Sequence, residues 1–261
     1  MPTVQAIIDT IVTTVPGAPF AETVDVVVTG DSAREVTGIV TTFLASWQVL
    51  QQAAALGANF IISHETAFYN HQNRTDWLAD NAVYLAKKQL CDEFGLVIWR
   101  LHDYWHRRQP DGILIGVLQA LEWTEYSDPA APTLIQLPPT RLADLAAHIE
   151  QRLGCRRLLM LGDADQVCSN AALLVGAQGA ERHIRALSGD VDVLIVGEVN
   201  EWKTPEYVRD ARAQGIAKAL IVTGHHASEE AGMAYLADWL QPRFPDLPIT
   251  HIPSGDPFQS N

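Results

Sequence analysis

The chain has 261 residues, 48% of them apolar and 19% charged, with a formal net charge of −13. That length is enough for one large α/β domain or for two lobes around a sizeable core. An acidic excess without clustered Lys or Arg argues against a nucleic-acid partner, although a local cation, a bound metal included, would still admit a phosphorylated ligand.

The opening MPTVQAIIDTIVTTVPG lacks the basic segment and small-residue cleavage site of a signal peptide. Residues 3–14 are apolar at helical spacing and stop near Pro16. TVDVVVTGD (23–31) and VTGIVTTF (36–43) predict two strands around a Gly-Asp turn. SWQVLQQAAALGA (46–58) predicts a helix closed by Gly57, and the strand FIIS that follows runs into His64 and Glu65. TDWLADNAVYLAKKQLCDEFG (75–95) predicts one long amphipathic helix, capped by Thr75 and stopped by Gly95. FGLVIWRLH (94–102) is a strand that again ends in histidine, and SDPAAPTL (127–134) is the best linker candidate.

Beyond it, PTLIQLPP (132–139) predicts a strand and RLADLAAHIEQRLG (141–154) a helix. Strands RRLLML and VCSNAALLV and a short helix at ERHIRALSG follow. VDVLIVGE (191–198), helix TPEYVRDARAQG (204–215), strand AKALIVTGHH (217–226) and helix SEEAGMAYLADWL (228–240) complete the pattern. Such alternation predicts an α/β fold of mostly parallel sheets flanked by helices. Two lobes of one domain (1–261) are expected, lobe A about 1–125 plus 200–261 and lobe B about 130–198, with the site at strand carboxyl ends between them. Cys91, Cys155 and Cys168 are widely spaced and form no C-x-x-C pair, and no apolar run reaches membrane-span length. A cytoplasmic protein with reduced core thiols and no membrane partner is expected.

In parallel α/β sheets, ligands collect beyond the carboxyl ends of strands. Here FIIS ends on His64-Glu65, LVIWRL on His102 with Asp103 and His106 beyond it, VLIVG on Glu198, and LIVTG on His225-His226 followed by Glu229 and Glu230. His102 and His106 are four apart, as are His225 and Glu229, which aims both members of a pair one way on a helical turn. Imidazole and carboxylate without thiolate suit Zn, Mn, Fe, Co or Ni. A lone histidine at a strand end is ordinarily a hydrogen-bonded loop residue; three such groups at converging strand ends carry the metal reading.

Among the other residues, His148 and His183 are expected on the exposed faces of helices. His71 follows the Phe-Tyr-Asn loop, where it could orient a ligand. Trp99 is expected in the core and Trp105 as a pocket wall. The roles of His226 and Glu201 stay open. VGAQGAE (175–181) lacks the Lys and spacing of a phosphate loop.

GANFIISHE, LHDYWHRRQPDGI and DVLIVGE…GHHASEE, in that order, resemble the Nif-three-like dinuclear metal-centre hexamers, some of which carry the label GTP cyclohydrolase I type 2. The resemblance runs from about residue 36 to GDPF (255–258). It implies that His64, Glu65, His102, His106, His225 and Glu229 hold two divalent ions, with Glu198 beside them as a catalytic acid or base. Glu65 stands where the family has histidine and His106 where it has aspartate, so four imidazoles and two carboxylates are kept. The alternative is Asp103 as ligand with His106 behind it. The family's N-terminal D-N-x-G-L block has no clear counterpart, and Glu201 and Trp202 replace histidines that often follow T-G-E.

Those differences imply a divergent branch with its own substrate. The implied activity is hydrolysis by metal-activated water of a small molecule such as a nucleotide or phosphoester, in a homohexamer. The alternative is a non-catalytic metal-binding hexamer: a metal chaperone, a storage ring or a regulatory scaffold.

Overall fold

The computed structural model describes residues 1–258, so the last three residues of the expected 1–261 domain lie outside the described residues. Helix α1 (Val4–Val12) is capped by Thr3, whose hydroxyl accepts from the Ala6 N–H, and it buries the single stripe Val4, Ile7, Ile8 and Ile11. Strands β1 (Val27–Thr29) and β2 (Ile39–Leu44) precede α2 (Trp47–Ala55) and β3 (Phe60–Glu65). Then come α3 (Ala82–Phe94), β4 (Val97–Arg100), the single-turn α4 (Asp103–Arg107) and α5 (Gly112–Ala120). The remainder is β5 (Ser127–Asp128), β6 (Ala131–Arg141), α6 (Leu142–Leu153), β7 (Leu159–Leu161), β8 (Val167–Leu174), α7 (Ala180–Leu187), β9 (Val193–Val196), α8 (Thr204–Ala213), β10 (Ala219–Val222), α9 (His225–Leu240) and β11 (Ile249–His251).

The helix expected over 75–95 is broken. Asp76–Leu78 form one 3-10 turn, and α3 starts afresh behind Asn81, whose side chain accepts from the Val83 and Tyr84 N–H groups; Thr75 makes no side-chain cap. Gly95 ends α3 at φ 59°, as its position predicts. SDPAAPTL is not a linker. It is the β5–β6 hairpin, with Asp128 opposite Ala131 and its carboxylate accepting from the Ala130 N–H at 2.8 Å.

The chain forms two compact units: Met1–Ile113 with Gly232–Ser254, and Leu114–Ala231 with the residues from Gly255 on. Among the described residues, the first unit holds a five-stranded sheet ordered β1-β4-β3-β2-β11, parallel except for the β1–β4 pair. Thr41 pairs with Ile62 and Ile62 with Trp99, so β2, β3 and β4 end together at one sheet edge. Val40, Val49, Leu50, Ile61, Leu90 and Ile98 lie in the core of this unit.

The second unit holds a six-stranded sheet ordered β5-β6-β8-β9-β10-β7. It is mixed, with β8-β9-β10 parallel and the outer pairs antiparallel. Residues 200–231, expected with lobe A, belong here because β10 pairs with β9, Leu220 opposite Leu194. Cys91, Cys155 and Cys168 are buried free thiols, and burial pushes each up to about 11. No described helix is long and apolar enough to cross a membrane.

Candidate metal centre

The centre of the first unit is built where β3 and β4 end. His64, the fifth residue of β3, is fully buried, and its Nδ1 lies 3.0 Å from the Leu101 carbonyl. A carbonyl can only accept, so Nδ1 carries the proton and Nε2 keeps its lone pair. His102 precedes α4 with Nδ1 3.1 Å from Asp103 Oδ1, and His106 ends the same turn with Nδ1 3.0 Å from Asp111 Oδ2. All three rings are thereby set in one tautomer, with Nε2 left as the basic nitrogen.

They also converge. Ring centroids are 4.7 Å (His64–His102), 5.0 Å (His64–His106) and 5.1 Å (His102–His106) apart, and one ring nitrogen from each lies within 4.8 Å of the others. Burial first, and then the neighbouring His64 and His106, lower the His102 pKa to about 4, so the ring is neutral near neutral pH.

Three residues that sequence reasoning passed over hold this arrangement. Asp25, buried within TVDVVVTGD, accepts from the backbone N–H groups of His102, Asp103 and Tyr104, each at 2.8 Å, and so caps α4 from outside it. Burial outweighs those bonds and raises its pKa. Asp111 orients His106. Arg100, fully buried at the end of β4, donates to Glu65 Oε2 (2.9 Å), the His64 carbonyl (3.3 Å), the His71 carbonyl (2.6 Å) and His71 Nδ1 (3.1 Å). An arginine that closes an apolar strand carries no local signal of such a role.

Glu65 therefore stands beside the histidine triad with one oxygen on Arg100 and the other 3.8 Å from His102 Nε2. Asp103 has both oxygens engaged, Oδ1 by His102 and Oδ2 by Thr23 (3.0 Å) and Val24 N–H (3.1 Å). Burial alone would raise its pKa, but these bonds outweigh it and keep the carboxyl below the ordinary range. The triad thus contains His106, with Asp103 orienting His102. Trp105 does not wall a pocket: it is fully buried, its indole N–H donates to the Gly232 carbonyl at 3.2 Å, and its ring meets Trp239.

The second unit holds its own donor set. His225 opens α9, three residues earlier than the sequence predicts, and Glu229 follows one turn on, its Oε2 3.0 Å from His225 Nε2. Ligand bonds near 2.1 Å place two adjacent donors roughly 3 Å apart. His225 Nδ1 lies 3.3 Å from Oε2 of Glu198, an exposed side chain, whereas Glu229 is buried. Ser228 ties the helix start to the strand ends, accepting from the Gly176 N–H (2.9 Å) and donating to the His225 carbonyl (2.7 Å). Gly176 has φ +67°, and a Cβ there would run into the Glu229 carboxylate.

The remaining expectations divide. His183 is buried against Thr204 (Nδ1 to Oγ1 3.1 Å) and His148 is half-buried with Nε2 2.8 Å from the Leu121 carbonyl, so neither lies on an exposed face. His226 is half-buried, its pKa lowered mainly by burial, while Glu201 and Trp202 are exposed. Imidazoles of one tautomer beside carboxylates fit a borderline divalent ion such as Zn, Mn, Fe, Co or Ni.

A family model described as Duf34/NIF3 (NGG1p interacting factor 3) matches residues 2–257. The chain is 30% identical over 235 residues to a GTP cyclohydrolase 1 type 2 homolog of Escherichia coli, covering 87% of this chain and 88% of that one. A relative of the same name from Pseudomonas aeruginosa is 29% identical over 222 residues, 80% of this chain and 81% of its own. Among solved structures, a Bacillus cereus protein related to NIF3 superposes with a TM-score of 0.79 at 15% identity, covering 100% of this chain and 99% of that one.

Proposed function

The chain belongs to the Duf34/NIF3 family, and from that membership and its histidine centre we propose a dinuclear-metal-dependent hydrolase resembling GTP cyclohydrolase 1 type 2. His64, Glu65, His102, His106, His225 and Glu229 are the proposed donors for two divalent ions. The observation that carries the reading is the shared tautomer of the triad, since three Nδ1–H groups held by oxygen acceptors leave three Nε2 lone pairs for a metal. When bound, such an ion supplies Lewis acidity and lowers the pKa of water toward neutrality.

The chain's own groups do the rest. Leu101 O, Asp103 and Asp111 hold the three rings in place. Arg100 holds Glu65 by Oε2 and leaves Oε1 on the side of His102. Glu198, exposed and 3.3 Å from His225 Nδ1, is the proposed acid or base that exchanges a proton with solvent. The substrate proposed is a small molecule, a nucleotide or other phosphoester, which the E. coli relative's name supports. With a net charge of −13, the chain admits such an anion only beside a local cation. A cytoplasmic homohexamer is the proposed form, about six times the 28.7 kDa chain mass.

The test is metal content per chain after purification without chelator, for wild type and His106→Ala, followed by a screen of nucleotides and phosphoesters. Two ions per chain, one or fewer in the variant, and turnover lost on chelation and restored by metal are the expected results. No stoichiometric metal in the wild type under replete conditions would overturn the reading. Two ions without turnover of any substrate would favour the metal chaperone, storage or scaffold alternative.

A further inference from the structure

Arg100 sorts the histidines around the triad by what it can offer them. A guanidinium has donors only. Its Nη2 lies 3.1 Å from His71 Nδ1, so that nitrogen accepts and the proton sits on Nε2. This is the reverse of His64, His102 and His106, whose Nδ1 atoms each face an oxygen acceptor. His71 is exposed, and its ring stands edge-on to His102 with centroids 5.8 Å apart and planes at 88°. Its backbone is also fixed, because Arg100 Nη1 donates to the His71 carbonyl at 2.6 Å. In the same loop, Asn70 Oδ1 accepts from the Gln72 and Arg74 N–H groups.

We propose that His71 is the substrate-orienting hydrogen-bond donor of this centre, its Nε2–H held outward by Arg100 to meet an oxyanion, such as a phosphate oxygen. This rests on the metal reading above. To ligate through Nε2, His71 would have to shift its proton to Nδ1 and break the bond from a buried arginine. As a donor it loses nothing. A fixed N–H beside a cation-binding centre also suits an acidic chain that must receive an anion. His71→Ala removes this donor and leaves Arg100 its bonds to Glu65 and to the two carbonyls, so the support of the triad survives.

The experiment uses the full chain loaded with metal. Metal per chain is counted first, and inorganic phosphate is then titrated calorimetrically into wild type, His71→Ala and His71→Gln. Expected are unchanged metal content, phosphate binding weakened about tenfold in His71→Ala, and binding within about threefold of wild type in His71→Gln, which keeps an N–H at that place. Equal affinity in His71→Ala, an ion lost from it, or no phosphate binding by the loaded wild type would each overturn the proposal. A wild type that takes up no metal fails the earlier reading instead. The 15N shifts of His71 still score the assignment in that case, and a proton on Nδ1 would overturn it.

Discussion

Each triad histidine depends on the atom behind it, and that dependence can be tested one residue at a time. Asp111 accepts from His106 with Oδ2 and from the Ile113 N–H with Oδ1 (2.8 Å), so it both orients the imidazole and caps α5. Asp111→Asn keeps a capping oxygen but can present an N–H to His106 Nδ1, which turns the ring's lone pair away from the triad. Metal affinity should fall about 10- to 100-fold while the melting temperature barely moves; an isothermal metal titration beside a thermal scan checks both. Lys87 gives a pH signature of different origin. It is buried on α3, its Nζ donates to the Ala67 carbonyl at 2.6 Å, and burial lowers its pKa to about 8. Between that value and the unfolded 10.5, the unfolded chain holds a proton that the native chain lacks, so stability rises with pH. The contribution is fully present above 10.5 and is lost as pH falls through 8. Urea unfolding from pH 7 to 10 should show wild type gaining on Lys87→Met, by at most about 1.4 kcal/mol per pH unit; a flat or falling difference would refute the assignment. His64 and His102 were legible because each closes an apolar run, and His106 because it stands four residues beyond His102. Asp25, Arg100 and Asp111 were not, since their partners are either far along the chain, as with Asp25 and His102 77 residues apart, or set by folding rather than by helical spacing.

At the scale of elements, the second donor set depends on two glycines that look like loop residues in sequence. Gly176 and Gly197 end β8 and β9 where the first turn of α9 comes down on them, and a Cβ at either would meet Glu229 or Ser228 Oγ. Gly176 also sits at φ +67°, a conformation that side chains resist. Gly176→Ala should therefore displace Glu229 and cost about 1–3 kcal/mol, and on the proposed dinuclear reading an ion held through His225 and Glu229 is lost first. Denaturation and metal counts on the variant test this, and an unchanged metal content would show that α9 yields without moving its carboxylate. The same contact explains why the start of α9 was misplaced: GHHASEE reads as a strand end followed by a helix at Ser228, but Ser228 accepts the Gly176 N–H from inside a helix already begun at His225. Helix α5 was missed for another reason. GILIGVLQA is apolar on every side and offers no stripe for periodicity to find. The break before α3 was lost because Thr75 and Asn81 are both good caps and only Asn81 accepts two N–H groups.

For the whole molecule, the question is whether metal holds the fold or only completes the site. Each unit has a sheet and an apolar core of its own, around Ile61 and Ile98 in one and Leu194 and Leu220 in the other. The triad rings, moreover, are held by a carbonyl and two carboxylates that need no ion to do so. A site organised in this way gains from metal by mass action rather than by being folded around it, unlike small domains whose only core is the ion. On the proposed hydrolase reading, chelation should then abolish turnover while the native mass and the far-ultraviolet spectrum stay as they were. Stability should drop only by the linkage term, about 2.7 kcal/mol if free metal had stood at 100 times its dissociation constant. Native mass spectrometry and a chelator titration followed by thermal unfolding measure the two effects apart. Dissociation of the proposed hexamer in step with metal loss would place the ions in its architecture, and the hydrolase reading would give way to the scaffold.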